Sequence, residues 1–269
     1  MIIAFAIVFS FTSCDKNEDI IPDPSVDDLI LTSKGDIPGT GLSVKIYQYG
    51  QDLIVGYNRL EFLVIKNGES GEYTSATITL KPMMDMGSMK HACPLENPVL
   101  GLNFNKVYGG AVVFQMPSSD MGIWTLCVIV KDEQTGEEGE LVIPVNIITP
   151  AEARMKSFTL GDEKIFVSLI EPSRPIVGVN DYEITIHKRQ SMMMWPAVET
   201  FTVSIDPEMP TMGHGSPNNI NPVHIVNGHY KGKVNFTMDG YWKVNMVLGH
   251  DGHNQELSFD ITFEQKSNK

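Results

Sequence analysis

Hydrophobic and polar residues alternate with a period of two through much of this chain. The clearest runs place an apolar side chain at every second position: Trp124, Leu126, Val128 and Val130; Trp242, Val244, Met246 and Leu248; Leu257, Phe259, Ile261 and Phe263. Successive side chains of a β-strand point to opposite faces of a sheet, so this alternation predicts strands that bury one face. No segment of useful length carries the 3.6-residue period of an amphipathic helix.

Turn-forming residues separate the predicted strands. Residues 131–136 and 250–254 contain the aspartate, asparagine and glycine that β-hairpins use. Short alternating strands joined by such turns are typical of two packed antiparallel sheets. The pattern therefore predicts an all-β fold made of antiparallel β-sandwich domains that resemble immunoglobulin-like domains.

The chain also repeats itself. Four segments of the first half match segments of the second half in the same order: 55–62 with 177–184, 77–82 with 202–207, 108–116 with 230–238, and 122–124 with 240–242. Ordered matches at a nearly constant offset indicate a tandem duplication. We expect two tandem domains, residues 34–150 and residues 151–269.

The first residues have the pattern of a targeting segment. Residues 1–11 form an apolar run of the length of a signal-peptide core, too short to span a bilayer as a helix. The run leads into Phe11-Thr12-Ser13-Cys14, which resembles the lipobox of bacterial lipoproteins and so implies cleavage before Cys14 and acylation of its thiol. An acidic, proline-bearing stretch follows, so we expect a signal peptide at 1–13 and a tether at 14–33. The protein would then be anchored to a membrane by lipid in the bacterial cell envelope, either periplasmic or on the outer-membrane surface.

Composition narrows the function. The net charge is −13 and no basic stripe is visible, which argues against nucleic acid as a partner. The chain contains no G-x-S-x-G elbow, Walker loop or H-E-x-x-H motif, so we expect no enzymatic activity. Besides Cys14 it has Cys93 and Cys127, which could form a disulfide; alternatively, Cys93 could be a thiolate ligand, and the sequence leaves both open.

Two loops carry the candidate chemistry. Residues 82–94 and 207–217 crowd methionine and histidine between prolines and glycines. Thioether and imidazole groups together favour a soft metal ion, with Cu(I) favoured over Cu(II) as the methionine share rises. The candidate ligands of the second loop and its surroundings are Met209, Met212, His214, His224 and His229. Those of the first loop are Met84, Met86, Met89, His91 and Cys93.

A metal-free explanation of the same loops stays open. Methionine fills irregular gaps well, so these side chains could cap the open end of a sandwich. In the denser first loop they could instead form an adhesive surface for another protein. The rival function is therefore an immunoglobulin-like interaction module of the cell envelope that binds no copper.

The second half resembles a known family. Its P-x-M and M-G-H elements are followed by Gly-His-Tyr-x-Gly-x-Val-x-Phe-x-Met and Gly-x-Trp, and together they resemble the YtkA-like domain, which is related to the FixH proteins. The likeness covers about Val177 to Leu248, and the first half resembles a divergent copy without a counterpart of His229. The resemblance implies an extracytoplasmic β-sandwich that handles copper, in oxidase assembly or copper homeostasis, with an envelope protein or a copper protein as partner.

Overall fold

The computed structural model describes residues 29–50 and 52–265. Every regular element within these residues is a β-strand, which confirms the predicted all-β class. Within them, no helix has the length and apolar character needed to cross a bilayer. The predicted signal peptide, the lipidation site Cys14 and most of the tether lie outside the described residues.

The first domain packs two sheets against each other. Its strands are β1 (Ile30–Ile37), β2 (Leu42–Gln48), β3 (Leu53–Ile54), β4 (Gly56–Lys66), β5 (Ala76–Asp85), β6 (Lys90–His91), β7 (Leu95–Leu100), β8 (Tyr108–Phe114), β9 (Ile123–Asp132), β10 (Glu138–Val145) and β11 (Ile147–Ile148). One sheet has the strand order β1-β2-β4-β8-β7 and the other has the order β10-β9-β5-β6. Both are antiparallel, whereas β3 and β11 pair in parallel beside them.

The second domain has the same two-sheet plan. Its strands are β12 (Met155–Leu160), β13 (Glu163–Glu171), β14 (Gly178–Arg189), β15 (Thr202–Met209), β16 (His214–Gly215), β17 (Ile220–Val226), β18 (His229–Phe236), β19 (Gly240–His250) and β20 (His253–Phe263). The sheets have the orders β12-β13-β14-β18-β17 and β16-β15-β19-β20. These orders match those of the first domain strand for strand, with β12 in the place of β1 and β20 in the place of β10.

Equivalent side chains make equivalent contacts in the two domains. The amide of Asn58 bridges the backbone of Ile54 before β4, and the amide of Asn180 bridges the backbone of Ile176 in the same way before β14. Such bridges satisfy backbone groups that a bend at a strand start would leave unpaired. The repeat seen in the sequence thus corresponds to a repeat of local structure.

Each core contains one fully buried tryptophan. Trp124 on β9 and Trp242 on β19 are fully buried, each among apolar side chains from both sheets. Each indole Nε1–H donates to a backbone carbonyl at 3.0 Å, that of Met116 in the first domain and that of Met238 in the second. A buried indole needs such an acceptor, so the bond fixes the ring at one end of its sandwich.

The two cysteines of the first domain are free thiols in different surroundings. Cys93 lies in the hydrophobic core, while Cys127 lies on the outer face of β9, where its Sγ contacts Glu140 Oε2 at 3.3 Å. The disulfide that the sequence left open is therefore not formed.

Candidate metal centre

The first methionine loop is a short hairpin that ends against Trp124. The hairpin pairs β5 with β6, and Met84 lies opposite His91 on one side and opposite Trp124 on the other. Side chains of directly paired residues share a face, with Cβ atoms about 4.5–5.5 Å apart. The His91 ring stands edge-to-face with Trp124 at a centroid distance of 5.1 Å. Thioether, imidazole and indole thus form one row across the sheet, which we call the first Met–His–Trp cluster.

A second thioether reaches the same place. A Cβ atom built on Gly122 would lie 2.7 Å from the Met84 methyl carbon and 3.2 Å from Met86 Cγ. Both methionine side chains therefore lie against the bare backbone of Gly122, and Met86 packs partly buried on the core beside Met84. Glycine leaves the space that any larger residue would fill.

The second domain builds the same arrangement. Met209 pairs with His214 between β15 and β16, and the His214 ring meets Trp242 edge-to-face at 5.9 Å. The methyl carbon of Met209 lies 3.0 Å from where a Cβ atom of Gly240 would stand. We call this the second Met–His–Trp cluster.

The backbone fixes both histidine rings in the same way. His91 Nδ1 lies 3.0 Å from the carbonyl oxygen of Ala92, and His214 Nδ1 lies 3.0 Å from that of Gly215. A carbonyl oxygen only accepts, so this contact selects the tautomer with the proton on Nδ1 and the lone pair on Nε2. Histidines that bind metals commonly donate their other N–H group to a carbonyl in this way.

The donor set is soft rather than hard. Within residues 29–50 and 52–265, no group of three or more His, Cys, Asp or Glu side chains is arranged to hold a metal ion. Each cluster instead offers thioether sulfur and one imidazole nitrogen beside an indole. Such donors suit Cu(I), whereas thioether is a poor ligand for zinc.

Comparison with known proteins places the second domain in a family. The family model described as YtkA-like matches residues 160–247. The second domain is a YtkA-like domain. The match includes its whole Met–His–Trp cluster, from Met209 through His214 to Trp242. No curated protein matches the chain in sequence.

Several solved structures of other proteins share a distant likeness with the chain. The adhesin InvE of Yersinia pseudotuberculosis is 8% identical over 84% of this chain and 60% of its own, with a TM-score of 0.27. Domains 5–6 of the S-layer protein SbsC are 9% identical over 87% and 98%, with a TM-score of 0.29. A conserved domain protein from Bacillus anthracis is 8% identical over 89% and 92%, with a TM-score of 0.32. The chain thus spans 60% of the InvE chain, and similarity at this level says nothing about binding or activity.

Two predicted ligands of the YtkA-like domain lie far from the others. The sequence predicts that His224 or His229 completes the shell of His214, but β17 and β18 carry both histidines to the opposite end of the sandwich. Phe236, at the far end of β18 from His229, contacts Trp242 of the cluster. A strand rises about 3.3 Å per residue, so His229 and Phe236 are separated by about 23 Å. The structure therefore corrects this part of the predicted site.

The remaining predicted ligands divide into buried and exposed side chains. Met84, His91 and Met209 are almost fully buried, whereas Met89 and Met212 lie on loops and expose 46% and 59% of their surface. Burial raises the pKa of the Cys93 thiol well above its usual value, so this group is neutral. A neutral thiol in an apolar core is a poor ligand, and we leave Cys93 out of the candidate site.

Sequence reasoning missed the tryptophans and the glycines of the clusters. A usable signal was present, because a Gly-x-Trp motif follows each loop, as Gly122-Ile123-Trp124 and as Gly240-Tyr241-Trp242. In the sequence this motif supports the tandem repeat and the family resemblance, but it does not by itself indicate a contact with the loops. The structure shows that both ends of this motif touch the Met–His pair.

His229 has a different setting, at the junction of the two domains. Its Nδ1 contacts Glu183 Oε1 at 2.7 Å within the YtkA-like domain, and its Nε2 contacts Glu96 Oε1 of the first domain at 2.6 Å. The Tyr57 hydroxyl donates to the other oxygen of Glu96 at 2.9 Å. Burial opposes the charge on His229, but its hydrogen bonds to Glu183 and Glu96 outweigh that effect and raise its pKa from 6.5 to about 9. A charged histidine thus bridges two carboxylates, and we call this group the His229 clamp.

Proposed function

We propose that this chain binds Cu(I) at the end of each sandwich, through the thioether and imidazole of its Met–His–Trp cluster. The observation that carries the proposal is the repetition of one arrangement in both domains. In each domain, a buried methionine pairs with a histidine whose Nδ1 contacts the carbonyl oxygen of the following residue. This contact leaves the lone pair of Nε2 for a metal ion.

In the first domain the ligands would be Met84, Met86 and His91. Two thioethers and one imidazole match the preference of Cu(I) for soft donors and low coordination numbers. The indole beside them would add a cation–π contribution, which is effective within about 6 Å of the ring centre. In the YtkA-like domain Met209 and His214 would bind the ion, and the exposed Met212 lies on the turn between them.

A site of this kind suits a carrier. Neutral ligands hold Cu(I) without neutralising its charge, and the exposed thioethers of Met89 and Met212 lie on the loops that would meet a second protein. We accordingly propose copper binding or transfer outside the cytoplasm, in oxidase assembly or copper homeostasis. Anchoring through Cys14 in the bacterial cell envelope is proposed on the lipobox resemblance.

The test is an anaerobic titration of the purified chain with Cu(I) against a competing chelator. We expect two Cu(I) per chain. The double variants Met84→Leu/His91→Gln and Met209→Leu/His214→Gln should each remove one. Leucine keeps the apolar volume of methionine, and Met155→Leu on β12, outside both clusters, is the matched control. Failure of the parent chain to compete for Cu(I) would refute the proposal and leave the loops as caps or contact surfaces for a protein partner.

A further inference from the structure

The first Met–His–Trp cluster lies at the junction with the YtkA-like domain. The backbone N–H of Ala92, the residue after His91, donates to the carbonyl oxygen of Met192 in the second domain at 2.9 Å. Met192 begins the sequence Met192-Met193-Met194, which lies in the connection between β14 and β15. A run of three methionines therefore meets the edge strand that carries a candidate copper ligand.

This methionine turn is held in one shape. The backbone N–H groups of Gln190 and Ser191 both donate to Met194 O, at 3.0 and 3.2 Å. The Trp195 ring packs edge-to-face on Phe166 at 5.3 Å, which fixes the turn to the body of the domain. Yet Met193 and Met194 expose 53% and 55% of their surface. Core packing does not explain exposed thioethers on a fixed turn, and they carry a risk of oxidation.

The backbone contact brings the turn within reach of the cluster. Adding the backbone bond lengths on either side of the 2.9 Å hydrogen bond gives about 8.5 Å as the largest separation of the Cα atoms of His91 and Met192. Long side chains that start so close can share one ion at metal–ligand bonds of about 2.0–2.3 Å. The second Met–His–Trp cluster lies at the other end of its domain, away from this junction.

We propose that the turn Met192–Met194 supplies a thioether ligand to the Cu(I) bound by Met84 and His91, so that both domains build the first site. The inference rests on the proposed function. Cu(I) keeps its oxidation state and charge when the thioether sulfur replaces a ligand of the incoming copper complex. Because the ion then joins the two domains, its affinity should depend on how firmly they dock, and thus on the His229 clamp.

The experiment uses methyl-¹³C methionine labelling and NMR. The substitutions Met209→Leu and His214→Gln are introduced first, so that only the first site remains. The chain is then titrated with Ag(I), a redox-inert substitute for Cu(I). We expect at least one methyl resonance of the turn to shift with the same stoichiometry as that of Met84. If Met84 shifts and the turn does not, the shared site is refuted while the proposed function stands. If neither shifts, both fail.

A Cu(I) affinity measurement provides a second readout. The triple variant Met192→Leu/Met193→Leu/Met194→Leu keeps the apolar volume of the turn, and Met155→Leu is again the control. Loss of a direct ligand should lower affinity by at least the roughly 10–100-fold typical for groups that only support a ligand. His229→Gln, with both sites intact, should weaken the first site and spare the second. Unchanged first-site affinity in the triple variant would overturn the inference.

Discussion

Replacing His229 by glutamine should weaken the docking of the two domains and change the pH dependence of stability. Glutamine can still hydrogen bond but carries no charge, so the variant removes the cation between Glu96 and Glu183. The rise in the pKa of His229 from 6.5 to about 9 measures how much more tightly the folded chain binds that proton than the unfolded chain does. At about 1.4 kcal/mol per pKa unit this gives about 3 kcal/mol. The side chain of His229 is only 12% exposed, so little of this value is lost to screening by solvent.

The sign of the pH dependence follows from the direction of each shift. A raised histidine pKa gives stability that is complete below pH 6.5 and is lost as the pH rises through about 9. Burial opposes the charge on Glu96 and Glu183, but the hydrogen bonds to His229 lower both pKa values below 4.5, so their share is lost as the pH falls below that value. His187 acts in the opposite direction to His229, because burial lowers its pKa to about 4 and its share is lost as the pH falls from 6.5.

The assay is urea unfolding of the parent chain and the variant from pH 5 to pH 10. Subtracting the two curves cancels most of the contribution of His187. We expect a difference of about 3 kcal/mol below pH 6.5 that shrinks toward zero above pH 9. Glu96→Gln is the matched variant, because it removes the carboxylate charge on the first-domain side of the clamp and leaves Glu183 in place. A difference that stays constant from pH 6 to pH 10 would refute the idea that the clamp works through a protonated His229.

Two further predictions concern the first cluster and the cysteines. Gly122→Ala places a Cβ atom 2.7 Å from the methyl carbon of Met84, so the thioether must move. The Cu(I) affinity of the first site should fall, whereas the free energy of unfolding should fall by only about 1 kcal/mol. A Cu(I) affinity equal to that of the parent chain would contradict the geometry. The buried Cys93 should stay unmodified by a thiol reagent until the first domain unfolds. The partly exposed Cys127 should react slowly, because burial and Glu140 raise its pKa to about 11. Mass spectrometry of the native chain measures both reactions, and rapid labelling of Cys93 would contradict the prediction.

The strands could be predicted because a period of two survives in the sequence wherever one face of a sheet is buried. Trp124, Leu126, Val128 and Val130 are all buried, as their alternation predicts. The Met–His pairs could be found as well, since the short loops between β5 and β6 and between β15 and β16 keep their residues close in space. Closeness along the chain could not show how the histidine and tryptophan rings are oriented, because Trp124 and Trp242 approach the loops from another strand.

The sequence contains a turn signal that explains why His224 and His229 lie far from His214. The loop after Met209 leads into β17, and the chain then runs away from that loop until Asn227-Gly228 turns it back into β18. Both turn residues have positive φ, 49° and 74°, which is the geometry that Asn-Gly hairpins adopt. This signal in the sequence places His229 at the far end of the domain. The contact of His229 with Glu96 could not be read in the same way, since it depends on how two separately folded domains dock.

Head-to-tail docking gives two similar clusters different surroundings. The second cluster lies at the end of the YtkA-like domain away from the junction, with Met212 exposed beside it, whereas the first lies where the domains meet, next to the turn Met192–Met194. A site completed by a second domain should release its ion more slowly, because release then requires the domains to separate or a ligand to detach. If both clusters bind Cu(I), the second is therefore the better candidate for exchange with a partner and the first for retention. The His229 clamp makes this difference sensitive to pH, since loss of its proton above about pH 9 weakens the same junction.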